Sequence, residues 1–194
     1  QGPSEKGTHR VAWDLRFAPP DAIDLSEPSF TPPWVSEPQG PLAAPGEYSV
    51  QLYSIDAGEI EALADPQYFA VKPVRAAADG TDYAEVAAFQ QKAGELRKQI
   101  AHAGEELDRT GALAAPDADP SLFTRLDEFD SALDELRARL YGDSVRQGLD
   151  EATRPSIAGR AYNAANNWNN TFPATATQET DYEIAREDFA AFNR

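Results

Sequence analysis

The sequence predicts an α+β chain: a partial antiparallel β-sandwich over about 1–75, followed by an antiparallel helical hairpin or four-helix bundle over about 76–194. Three observations carry this. Most prolines and turn residues lie before residue 75, whereas Ala, Glu, Leu and Arg dominate after it. Short stretches of the first part alternate apolar and polar residues, the period of a half-buried strand. The second part holds two long apolar series at heptad spacing. With 194 residues and 41% hydrophobic content, the chain is long enough for one or two small domains with a real core.

The first strand is read at about 9–17, in GTHRVAWDLR, where Val11, Trp13 and Leu15 alternate with Ala12, Asp14 and Arg16. The second, at about 47–54, places Tyr48, Val50 and Leu52 against polar partners, directly after the turn signal Pro45-Gly46. A weaker strand runs through Glu59–Leu63, after an Asp56-Ala57-Gly58 turn. The next, at about 67–73, puts Phe69 and Val71 on one face and stops at Pro73, which has no N–H to give a ladder. Between the first two, residues 26–46 read as a long loop with six prolines that carries Phe30 and Trp34. Stiff chain of that kind lies across a sheet edge or a neighbouring domain.

Four helices follow. Val86, Phe89, Ala93, Leu96, Ile100, Ala103 and Leu107 define a helix over about 81–110 that ends near Gly111. Leu122, Leu126, Phe129, Leu133, Leu136 and Leu140 define another over about 119–141, with Asp119 as N-cap and Pro120 at its first position. The loop between them is short enough to make these helices antiparallel neighbours. Shorter helices fit 156–168, capped by Ser156, and 175–193, where Thr175 and Gln178 have the spacing of a capping box.

Charge and composition exclude several functions. The formal charge is −16, with 11 acids and 5 bases in residues 1–75 and 22 acids and 12 bases in 76–194. Neither part is basic, so nucleic acid and anionic membranes are repelled. No run of about 18 apolar residues suits a membrane span. The absence of Cys removes disulfides, thiolate metal sites and thiol catalysis. His9 and His102 are far apart in sequence, and His102 reads as a solvated or partly packed helix histidine. Asp117, Asp119, Ser121 and Glu128 match positions of a calcium loop, but Leu122 stands where that loop needs Gly and Pro120 breaks its geometry. The densest carboxylate pairs, Glu105-Glu106, Asp127-Glu128 and Asp134-Glu135, are sequence neighbours on helices and read as a solvated face rather than as two acids across a cleft. No catalytic residue, metal or cofactor is assigned.

NAANNWNNTF (163–172) is the most unusual stretch. Amides and an indole make a carbohydrate-contacting surface in one reading, with Asn163, Asn166, Asn167 and Trp168 as contacts and Trp34 as a second aromatic. In the other it is an Asn-frayed helix C-terminus with Trp168 packed inward. Asn169-Asn170-Thr171 also matches a glycosylation acceptor.

HRVAWDLR, then GPLAAPGEYSVQLY and QYFAVKP, resemble an Ig-like module of the flagellar hook-capping type. WDLR, PPWV, the GPLAAPG-x-Y run and FQQK together resemble the C-terminal region of bacterial secreted sortilin-like β-propeller proteins, often labelled BNR-repeat glycosyl hydrolases. The resemblance implies a secreted, periplasmic or cell-envelope protein and a non-catalytic accessory module whose partner is the N-terminal propeller of the same protein. No Asp-box occurs here, so no catalytic residue is carried over. A glycan-binding accessory, and loops that complete a hydrolase cleft on the propeller, are the alternatives. An Ig-like sandwich needs about seven strands. Residues 1–75 supply three clear ones and a weak fourth. The sandwich is therefore expected to begin upstream, with Gln1 a boundary inside it and the Trp13 face covered by strands of a separate polypeptide.

Overall fold

The computed structural model describes residues 5–19, 39–74, 80–113, 123–166 and 170–194. They fold as a mixed α+β chain with antiparallel strands first and helices after.

The strands are β1 (Gly46–Val50), β2 (Tyr53–Asp56), β3 (Glu59–Ala62) and β4 (Gln67–Val71). β2 pairs with β3, and β1 pairs with β4 outside them, so the four make one nested, bent hairpin. Its turn is Asp56-Ala57-Gly58-Glu59, with φ of 47° at Ala57 and 89° at Gly58. Positive φ at both central residues is the geometry whose twist suits a two-residue hairpin turn. The register is Tyr53↔Ala62 in the inner ladder and Val50↔Gln67 in the outer. The returning arm is therefore two residues longer at the bend, where Pro66 has no N–H to offer. The Leu63 N–H still reaches the Leu52 carbonyl at 2.9 Å, and the Gln51 amide bonds the Ala64 carbonyl at 3.1 Å across the break.

The expected strand at 9–17 is replaced by an irregular segment with a single bridge, Arg16↔Leu42. Side chains near the bridge compete with the ladder for backbone groups. Asp14 Oδ1 accepts from the Arg16 N–H at 3.1 Å, and the Trp13 indole donates to the Arg16 carbonyl at 2.8 Å. Leu15 sits at φ 60°, so the alternation of Val11, Trp13 and Leu15 does not become one sheet face. Trp13 instead packs on the opposed pair Tyr48 and Phe69, with ring centroids 5.3 and 6.1 Å away, and stays 42% exposed. Among the described residues no second sheet covers the hairpin.

The helices are α1 (Tyr83–Leu113), α2 (Phe123–Tyr141), α3 (Ser144–Gly148), α4 (Ile157–Ala165) and α5 (Ala176–Phe192). α1 continues through Gly111 rather than ending there. Asp82 caps it, accepting from the Ala84 and Glu85 N–H groups. The expected caps of the two short helices are present: Ser156 accepts from the Gly159 N–H, and Thr175 and Gln178 close a reciprocal capping box. Asp119 and Pro120 lie outside the described residues. α3, one turn capped by Asp143 after Gly142 at φ 93°, was not anticipated.

α1 and α2 run antiparallel, with Asp108 paired to Arg137 at 3.2 Å and Gly104 opposite Tyr141. A Cβ at 104 would overlap the Tyr141 hydroxyl, so glycine permits this approach. The core is not confined to the α1–α2 seam. Leu96, Ile100 and Leu140 meet Ile157 and Ala161 of α4 and Ala185 and Phe189 of α5. Phe89 and Ala93 meet Ala164 and Ala165. On α2, Leu133 and Leu140 are buried, but Phe129 is 37% exposed. The bundle's short helices pack at the Leu140 end of α2, so burial fades along the seam away from it.

Candidate docking surface

The hairpin tip has two unlike faces. Side chains alternate along a strand, and the register decides which cross-strand residues share a face. Ile55 lies opposite Ile60 and Tyr53 opposite Ala62 on one face. Asp56 lies opposite Glu59 and Ser54 opposite Glu61 on the other. The apolar face is bare: Ile55 is 67% and Ile60 69% exposed, and Tyr53 is exposed as well. Nearer the bend Val50 and Tyr68 are exposed, as are Leu52 and Leu63, which the alternation puts on the side of Ser54 and Glu61. The sequence signal for this face was the placement of Ile55 and Ile60 at equal distances from the Ala57-Gly58 turn. Read arm by arm, the pattern gave only a weak strand at 59–63.

Of the residues singled out from sequence for ligand contact, Asn163 and Asn166 are among the described residues. Trp34, Asn167 and Trp168 lie outside them. Asn163 and Asn166 are on the last turn and cap of α4. The Asn163 amide donates to Asp181 Oδ2 at 3.4 Å, and the Asn166 N–H bonds the Asn163 carbonyl at 3.3 Å. Asp181 is buried and also accepts from Arg160 Nη1 at 2.5 Å. This cluster ties α4 to α5. Nothing in the local pattern marked Asp181, because its partners lie about twenty positions away.

His9 donates to the Glu5 carbonyl at 2.6 Å, and His102 is 3.9 Å from Glu106 on an exposed helix face. Among the described residues no three His, Asp or Glu side chains converge as metal ligands. No described helix is long and apolar enough to cross a membrane. Glu106 pairs with Arg109 at 2.6 Å and Asp134 with Arg137 at 3.4 Å, so these acids sit in surface ion pairs.

A groove of about 470 Å³ runs between the start of α1 and α5, with Phe89 and Tyr182 on its floor and Asp82, Glu85, Glu179 and Glu183 around it. The chain's own Lys92 ammonium lies 4.9 and 4.6 Å from the centres of those two rings, which satisfies the aromatic floor internally. Across the bundle, the Tyr141 hydroxyl is held above the ordinary tyrosine pKa, chiefly by burial and then by the Asp108 and Glu105 carboxylates. No family model, curated protein or solved structure matches the chain.

Proposed function

We propose that this chain is a non-catalytic accessory module that docks on another polypeptide, with the helical bundle as its folded base and the hairpin as its docking element. One observation carries this: a two-stranded ribbon presents Tyr53, Ile55 and Ile60 to solvent on a single face. An isolated hairpin is marginal in water, and contiguous exposed apolar surface marks interaction sites. In this proposal the ribbon is part of an Ig-like sandwich whose remaining strands come from the partner. The resemblance to the C-terminal region of secreted sortilin-like propeller proteins supports the same role. It extends the proposal to an exported protein whose partner is the N-terminal propeller.

The test is site-specific photo-crosslinking in the producing cell. A photoreactive residue at 55 or 60 is expected to give one discrete adduct with another polypeptide, and the same residue at exposed Val145 on α3 none. Equal or absent crosslinking at all three positions overturns the docking role. Steady hydrolysis of aryl glycosides by the chain, abolished by changing one carboxylate, overturns the non-catalytic one.

A further inference from the structure

The acidic face of the tip is unbalanced within the chain. Asp56 and Glu59 are directly opposed, and Glu61 follows on the same face. Like charges in opposed cross-strand positions destabilise a ladder. The sequence has no Lys, Arg or His between Gly46 and Val71. Among the described residues none of these three carboxylates has an ion-pair partner. Also among the described residues, β2 and β3 pair only with each other, so each keeps an outer edge of backbone N–H and C=O groups.

We infer that the tip is a strand-addition site for an extended segment of another polypeptide whose residues alternate apolar and basic. The inference rests on the docking role proposed above and specifies the partner's chemistry. An added strand bonds the free edge through its main chain and places alternate side chains on the two faces. Its apolar residues widen the Tyr53, Ile55 and Ile60 face. Its Lys or Arg residues fall beside Asp56, Glu59 and Glu61 and relieve their repulsion. A second copy of this chain is a poor occupant, because it brings the same acidic face and a charge of −16.

The experiment uses the whole chain, isotope-labelled, and backbone-amide NMR titration with three capped peptides of about six residues, the usual strand length. One alternates Val and Lys, one alternates Val and Glu, and one holds the same Val and Lys in separate blocks. The alternating Val–Lys peptide is expected to shift amides of 53–62 and to bind at least about tenfold more tightly than either of the others, as several cross-strand pairs together imply. The triple change Asp56→Asn, Glu59→Gln, Glu61→Gln should bring the two alternating peptides to within about twofold of each other, by the same pairwise logic. Ile60→Ser, at an exposed position, should weaken both without altering the helical amides. Equal binding of the block peptide, or shifts confined to the helices, overturns strand addition. Equal binding of the two alternating peptides at the tip overturns the basic partner while leaving the docking role standing. If neither alternating peptide shifts the tip, strand addition is refuted, and the crosslinking experiment decides the docking role separately.

Discussion

Replacing Leu140 by Ala should weaken the bundle far more than replacing Phe129, although both occupy the same heptad series. Leu140 is 0% exposed and is surrounded by Leu96, Ile100, Ile157, Ala161, Ala185 and Phe189. Truncation removes three carbons from a closed site bounded by α1, α4 and α5. At about 0.8 kcal/mol per buried CH₂ the transfer part is about 2.4 kcal/mol, and the cavity brings the total to about 3–5 kcal/mol. Phe129 is 37% exposed, so its removal opens a notch to water instead of a void and costs about 1–1.5 kcal/mol. At about 4 °C per kcal/mol for a unit of this size, the melting temperature falls by about 12–20 °C for Leu140→Ala and about 4–6 °C for Phe129→Ala. Far-ultraviolet circular dichroism during thermal and urea unfolding reads both, since it follows the helices. Equal losses would show that the α1–α2 seam is the core along its whole length and that α4 and α5 are peripheral.

Three other outcomes are expected. Asp181→Ala leaves Arg160 partly buried without its carboxylate and should cost about 2–4 kcal/mol in urea unfolding, whereas Glu135→Gln on the exposed face should stay within about 0.5 kcal/mol. The folded state holds the Tyr141 proton more tightly than the unfolded state, so its contribution to stability is complete below the ordinary tyrosine pKa of about 10 and is lost as pH rises through the raised folded value. Tyr141→Phe should therefore lose less stability than the parent chain between neutral and strongly alkaline pH, as read by urea midpoints. Ala57→Asn puts a residue tolerant of positive φ at the first turn position and should stabilise the hairpin by about 0.5–1 kcal/mol, seen as slower amide exchange at Ser54 and Glu61, which face each other as a hydrogen-bonded pair of the ladder.

The parts of the fold that were legible are those set by neighbours in sequence. Ser156, Thr175 and Gln178 announce their helices because a cap needs only residues within one turn. Asp56-Ala57-Gly58 announces its turn for the same reason. The strand at 9–17 failed because the alternation of Val11, Trp13 and Leu15 says nothing about the bonds that Asp14 and the Trp13 indole make to Arg16. The heptads located α1 and α2 but not the share of their core supplied by short helices more than fifteen residues beyond α2. Gly104 under Tyr141, and Asp181 between Arg160 and Asn163, are long-range juxtapositions that only the fold creates. At the candidate docking surface, each arm of the tip shows its alternation, but the shared apolar face exists only once the register sets Ile55 against Ile60.

How the hairpin joins the bundle determines what a partner at its tip can do. Residues 42–45, which lead into β1, share a crevice of about 20 Å³ with Tyr83, Val86, Ala87 and Gln90 of α1 and with Asn170 and Thr171. Gln90 is buried there and donates to the Asn170 carbonyl at 2.9 Å. The base is braced from the other side by residues 15–17, whose backbone bonds Pro41 and Ala43, and by close passage of Phe17 and Ala18 past Gly40. From this joint the outgoing arm runs from Gly46 to Asp56, a path of at most about 33 Å at about 3.3 Å per residue. None of the tip residues belongs to the core cluster around Leu140 and Phe189. The joint sits on the first turns of α1, the helix that packs chiefly against α4 and α2. Under the proposed docking role, a ribbon this small takes its order at the tip from the partner and its position from the joint with α1.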